Sequence, residues 1–137
     1  MAYSNFYARF YSLFDKIKRS FSAVFQFKSS FIYLAIIIFW QLISWLQAWF
    51  IKRSLSGDVL VLHYNVDFGI DLVGDPNRIY SYPLLGLGIF LLNLSILAYF
   101  HESKNFKIYI HYLMGSAAVF ASVLSVALLS IYLINFR

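Results

Sequence analysis

The sequence predicts an all-α integral membrane protein: an N-terminal interfacial amphipathic helix over residues 1–28, then a three-span transmembrane domain over 29–137, carrying a short strand-and-turn extracytoplasmic loop. Three observations predict it. Of 137 residues, 61% are hydrophobic and only 12% charged, with a mean hydropathy of +0.71, whereas soluble domains carry about 25% charged residues. Three long stretches hold no Asp, Glu, Lys or Arg. Aromatic residues, 21% of the chain, gather near the ends of those stretches, where a membrane concentrates Trp and Tyr.

Residues 3–28 alternate on a helical period. Phe6, Phe10, Leu13, Phe14, Ile17, Phe21, Val24 and Phe25 fall on one face, and Ser12, Asp15, Lys16, Arg19, Ser22 and Gln26 on the other, with Lys18 at its margin. An aromatic face opposed to a basic one belongs in the headgroup plane, with Lys16, Lys18, Arg19 and Lys28 as expected contacts for anionic lipid. An amphipathic N-terminus poor in acids also resembles an organelle transit peptide, but those are richer in Arg and poorer in Phe. No cleavable secretory signal is recognisable, since the first apolar run begins near residue 30 and lacks a small-residue processing site.

A hydrocarbon core of roughly 30 Å needs about 20 helical residues. Ser29 to Ile51 meets this between Lys28 and Lys52-Arg53, with Tyr33-Leu-Ala-Ile-Ile-Ile-Phe-Trp40 near its centre. Ile79 to Phe100 lies between Arg78 and Glu102, with Pro83 in the first turn, where a missing N–H costs nothing. Ile108 to Phe136 lies between Lys107 and Arg137 and is long enough to cross with tilt. The spans expected are about 30–51, 80–100 and 110–134. As soluble core helices these segments would have almost no polar face for water.

Lys and Arg are retained on the cytoplasmic side. Arg9, Lys16, Lys18, Arg19, Lys28, Lys104 and Lys107 fall on one side of the spans, and Lys52, Arg53, Arg78 and Arg137 on the other. The N-terminus is therefore expected inside and the C-terminus outside. The net charge of +5 is assigned to membrane lipids rather than nucleic acid, because the cations sit beside apolar helices.

The loop 52–78 changes composition. Val59-Leu-Val-Leu-His-Tyr-Asn-Val66 is β-branched and aromatic enough for a short strand. Asp67 to Asn77 is rich in turn residues, with Gly69, Gly74 and Asp75-Pro76 as breakers. A compact strand-and-turn cap over the helix ends is expected.

The string Leu62-His-Tyr-Asn-Val-Asp-Phe-Gly-Ile-Asp-Leu-Val-Gly74, followed by an apolar helix containing Asn93, resembles small uncharacterised multi-pass membrane proteins of genome-reduced bacteria of the candidate phyla radiation type. More distantly it is similar to the short domain of unknown function in bacterial immunity proteins of the sporulation-delay type. There a Pro-x-His-aromatic-Asn/Asp stretch leads to spaced Gly and Asp residues before a transmembrane helix. The resemblance covers about a third of the chain, and Val61 stands where Pro is usual. It implies a bacterial cytoplasmic membrane and a motif of His63, Asn65, Asp67, Gly69, Asp71 and Gly74. An immunity or envelope-signalling role is implied only through the distant family, since the nearer group has no assigned activity.

Candidate chemistry is sparse. The spacing Asp67-x-Gly69-x-Asp71-x-x-Gly74-Asp75, with His63 and Asn65 before it, invites a calcium reading but lacks the acidic run and terminal Glu of a calcium loop. Asp and Asn bonding their own backbone in turns is the simpler reading. No nucleophile elbow, P-loop, dinucleotide fingerprint or His-x-x-x-His pair is present, and the absence of cysteine excludes thiol chemistry. No cofactor is expected.

The spans contain no acidic or basic residue to mark an ion path; His111, one turn from Lys107, reads as interfacial. Gln41 and Asn93 read as interhelical hydrogen-bond partners, each contributing about 0.5–2 kcal/mol. Gly115, Ala118, Ser122 and Ser125 recur at three and four residue steps as a small-residue stripe, expected to meet another helix of this chain or a partner. The function expected is a non-enzymatic accessory or structural membrane subunit or homo-oligomer. The alternatives are the immunity or signalling role and a small oligomeric channel or transporter, with Gln41 or Asn93 at the pore.

Overall fold

The structure is a computed structural model and describes residues 7, 11, 12, 15, 18–55, 57, 59–65, 67 and 69–136. Residues 18–24 are helical and turn at 25–27 into α1, Lys28–Ser54. A hairpin follows, β1 Leu60–Asn65 and β2 Gly69–Gly74. A 3-10 helix, Pro76–Tyr80, then runs into α2, Ser81–Tyr99, and a short connection leads to α3, Phe106–Phe136. Among the described residues, three helical segments, Lys28–Ser54, Pro76–Tyr99 and Phe106–Phe136, are long and apolar enough to cross a membrane.

The helices are apolar on all sides, so inward and outward faces are told apart by packing. On α1 the inner line is Ser30, Leu34, Ile37, Gln41, Ser44, Ala48 and Ile51. On α2 it is Pro83, Gly86, Phe90, Asn93 and Leu97, and on α3 Ile110, Met114, Ala117, Ala121, Leu124, Leu128 and Ile131. Each line advances by alternating steps of three and four residues. That 3.5-residue period keeps one seam facing its neighbours and belongs to left-handed helix packing.

α1 and α3 run parallel, with α2 antiparallel between the same two ends. Tyr33 Oη meets His111 Nδ1 at 3.1 Å, and Ser125 Oγ donates to Gln47 Oε1 at 2.8 Å. Both pairs are 78 residues apart, so the two helices hold one register over four turns of their contact.

Two buried clusters mark the ends of the bundle. At the first end, Val24 packs with Ile37, Leu94, Leu97, Phe106, Ile110 and Met114. At the other, Leu60 and Leu62 of β1 join Ala48, Ile51, Ile79, Leu128 and Ile131.

The segment 69–74 corrects the expectation of turns. It is a strand, antiparallel to β1, pairing Leu60 with Gly74, Val61 with Val73, His63 with Leu72, Tyr64 with Ile70 and Asn65 with Gly69, with irregular register around His63. The breakers punctuate the strand's ends: Gly69 takes a left-handed φ of 78° at the hairpin turn, which glycine adopts without steric cost. Gly74 lies where a Cβ would come 3.0 Å from Leu62 Cδ1 and 3.1 Å from Arg78 Cδ. Asp75 does act as a turn residue, its carboxylate capping the 3-10 helix through the Asn77 N–H at 2.6 Å.

Candidate functional site

The amides of the spans, Gln41, Gln47 and Asn93, are the groups with the most chemistry to offer, and the fold directs them inward. Gln41 Nε2 donates to the Pro83 carbonyl, joining α1 to α2. That carbonyl accepts it close to Gly86, whose missing side chain leaves room: a Cβ there would stand 2.9 Å from Gln41 Oε1 and 3.2 Å from Leu124 Cδ1. Asn93 Nδ2 donates to the Leu113 carbonyl at 2.8 Å and to Ser116 Oγ at 3.3 Å, joining α2 to α3. Gln41 and Asn93 thus each bridge two helices, at different levels and through different partners.

The small-residue line of α3 lies beside its buried seam, toward α1. Gly115 would place a Cβ 3.7 Å from the Tyr33 ring, Ala118 is buried, and Ser125 is held by Gln47. Ser122 returns its hydroxyl to the Val119 carbonyl at 2.7 Å. Among the described residues no buried side-chain nitrogen or oxygen lacks a hydrogen-bond partner.

His63 and Asp67 are exposed, on β1 and in the turn. Asn65 and Asp71 lie on opposite strands, and Gly69 and Gly74 mark the two ends of β2. Among the described residues no group of three or more His, Asp or Glu side chains comes together.

A residue that sequence reasoning missed fixes the hairpin instead. Asn135, in the last turn of α3, accepts from the Val61 N–H at 3.0 Å and donates to the Val61 carbonyl at 2.8 Å. A side-chain amide thereby completes the outer edge of β1 as a neighbouring strand would. The only sequence signal was an amide near the end of an otherwise apolar helix.

At the opposite end, Ser20 Oγ lies 3.3 Å from His101 Nδ1 in the α2–α3 connection, and Ser30 Oγ donates to the Val24 carbonyl at 2.6 Å. Lys18, Arg19 and Lys28 are exposed. Lys16 lies outside the described residues, as do Phe6, Phe10, Leu13, Phe14 and Ile17 of the amphipathic face.

Comparison with family models, with curated proteins and with solved structures finds no match.

Proposed function

We propose that this chain is a non-enzymatic structural or accessory subunit of a membrane assembly, built from copies of itself or around a larger membrane partner. The observation that carries the reading is where its intramembrane amides go. Gln41, Gln47 and Asn93 are spent on bonds between the chain's own helices, so the polar groups of the spans serve to fix a shape. That shape leaves α1 as the least covered helix. Its most apolar window is 22% buried, against 28% for the second span and 39% for the third. Its outer face presents Ile32, Phe39, Leu42 and Leu46, a surface suited to a neighbouring helix in lipid, where van der Waals packing drives association.

In this reading the N-terminal segment lies in the cytoplasmic interface, beneath the bundle. Val24 is buried against Leu97 and Phe106, while Lys18, Arg19, Ser22 and Gln26 face outward, the division that an interfacial helix requires. The hairpin then caps the extracytoplasmic end.

The chain has no cysteine, so single cysteines introduced at Ile32, Phe39 and Leu46 report contacts cleanly. Crosslinking in native membranes at these three positions, and not at Val119 or Val126 on the outer face of α3, is the expected result. An absence of crosslinks at all five positions, together with a monodisperse monomer in mild detergent and no co-purifying partner, would remove the proposal.

A further inference from the structure

At the hairpin end of α1, two cations stand over aromatic rings, and one of those rings, Trp49, also borders an apolar groove. Lys52 Nζ donates to Asn77 Oδ1 and sits 5.4 Å from the centre of the Tyr80 ring. Arg53 lies 5.2 Å from the centre of the Trp49 ring. Their contacts are with neutral groups, so both side chains are held in place with their charge uncompensated by those contacts. An ammonium has three donors and a guanidinium five, which leaves donors on each for an anion. Trp49, Lys52, Arg53 and Tyr80 together line a depression of about 230 Å³.

Trp49 also lines a second, almost wholly apolar groove of about 420 Å³ between α1 and α3, walled by Leu46, Phe50, Leu129 and Tyr132. Sites that hold small ligands measure roughly 300–1,000 Å³. Leu46 is seven residues before Arg53, about 10 Å along the axis at 1.5 Å per residue. A cationic depression at the edge of the charge-free span and an apolar groove that shares Trp49 with it and extends about two turns back along α1 match, in order, a phosphate headgroup and an acyl chain.

We propose that Lys52, Arg53 and Trp49 form a specific site for an anionic phospholipid, its phosphate between the two cations and one chain along Leu46, Phe50 and Tyr132. Charge selects the occupant. An apolar helix of a partner or a second copy would fill the groove and leave the cations unanswered. A phospholipid brings its negative charge to that depth by its own construction. The cationic depression lies beyond the outer line of α1, and the groove meets that line at Leu46 alone; the inference stands whether or not the chain is a structural subunit.

The test uses the full chain with Trp40→Phe and Trp45→Phe, leaving Trp49 as the sole tryptophan, in phosphatidylcholine vesicles. One set contains phosphatidylglycerol brominated on its chains, the other the same fraction of brominated phosphatidylcholine. The expected result is stronger quenching of Trp49 by brominated phosphatidylglycerol, corresponding to an enrichment of roughly thirtyfold for two cations. Unbrominated phosphatidylglycerol should reverse the excess, and inorganic phosphate should not. Equal quenching by the two brominated lipids would overturn the site, as would reversal by inorganic phosphate alone, which would mark a free-anion site. In Lys52→Gln/Arg53→Gln, checked for retained helicity by circular dichroism, the excess should vanish. Its persistence in the folded variant would equally refute the assignment.

Discussion

Gly86 and Asn93 show at single-residue scale how this bundle is held without water to drive it together. Between helices in lipid, close packing and side-chain hydrogen bonds replace the hydrophobic effect, so the decisive positions are those that permit approach or supply a donor. At Gly86 even one methyl would meet Gln41 Oε1 at 2.9 Å, and Gln41 is already committed to the Pro83 carbonyl. Gly86→Ala is therefore expected to lose about 1 kcal/mol and Gly86→Leu about 1–3 kcal/mol, the range for overpacking. Asn93→Leu keeps the volume and removes both bonds to α3, for an expected loss of about 0.5–2 kcal/mol. Equilibrium unfolding in mixed detergent and dodecyl sulfate micelles, followed by circular dichroism, measures all three. Neutral behaviour of Gly86→Leu would show that α1 and α2 do not approach as described.

At the scale of elements, the hairpin is the part whose stability is borrowed. A two-stranded hairpin is marginal by itself. This one gains its order from Leu60 and Leu62 in the cluster with Ile51, Ile79 and Leu128, and from the Asn135 amide that pairs with Val61. Asn135→Ala should raise amide hydrogen exchange in residues 60–74 while leaving α1 and α2 protected, because the bonds lost lie at the strand edge. Unchanged exchange in the hairpin would mean that its apolar contacts suffice. Strand β2 itself was hidden from sequence reasoning because Gly69, Asp71 and Gly74 are residues that disfavour strands. Context overrode propensity: the left-handed turn at Gly69 folds the segment back onto β1.

For the whole molecule, α3 is the spine. Its 31 residues span about 46 Å at 1.5 Å per residue, well beyond a hydrocarbon core of roughly 30 Å. The excess is used at both ends. Phe106 in the first turn packs against Phe27, with ring centres 6.1 Å apart, and Asn135 in the last turn holds the hairpin. One helix thus positions both the N-terminal segment and the cap. The arrangement of charge on this frame sets the expected orientation: a reporter active only in the cytoplasm should be active when fused before residue 1 and silent after Arg137. The opposite pattern would reverse the topology proposed for the hairpin.

How much of this was legible depends on which physical signal lipid preserves. The three spans were readable because charge is costly in hydrocarbon at any position, so Lys28, Lys52, Arg78 and Lys107 nearly delimit the helices wherever they pack. The inner seams were not read, because a helix apolar on every side gives no contrast between its faces. The repeat of Ser30, Ile37, Ser44 and Ile51 at sevens is visible only once burial points to it. The stripe of Gly115, Ala118, Ser122 and Ser125 was legible as small residues, but that it turns toward Tyr33 and Gln47 was not. The sequence by itself determined the solvent of each segment, a property that each residue carries alone. Only the tertiary structure decided the partners, Gln41 with Pro83, Asn93 with Leu113 and Asn135 with Val61, because a hydrogen bond depends on two groups that the chain brings together from 20 to 74 residues apart.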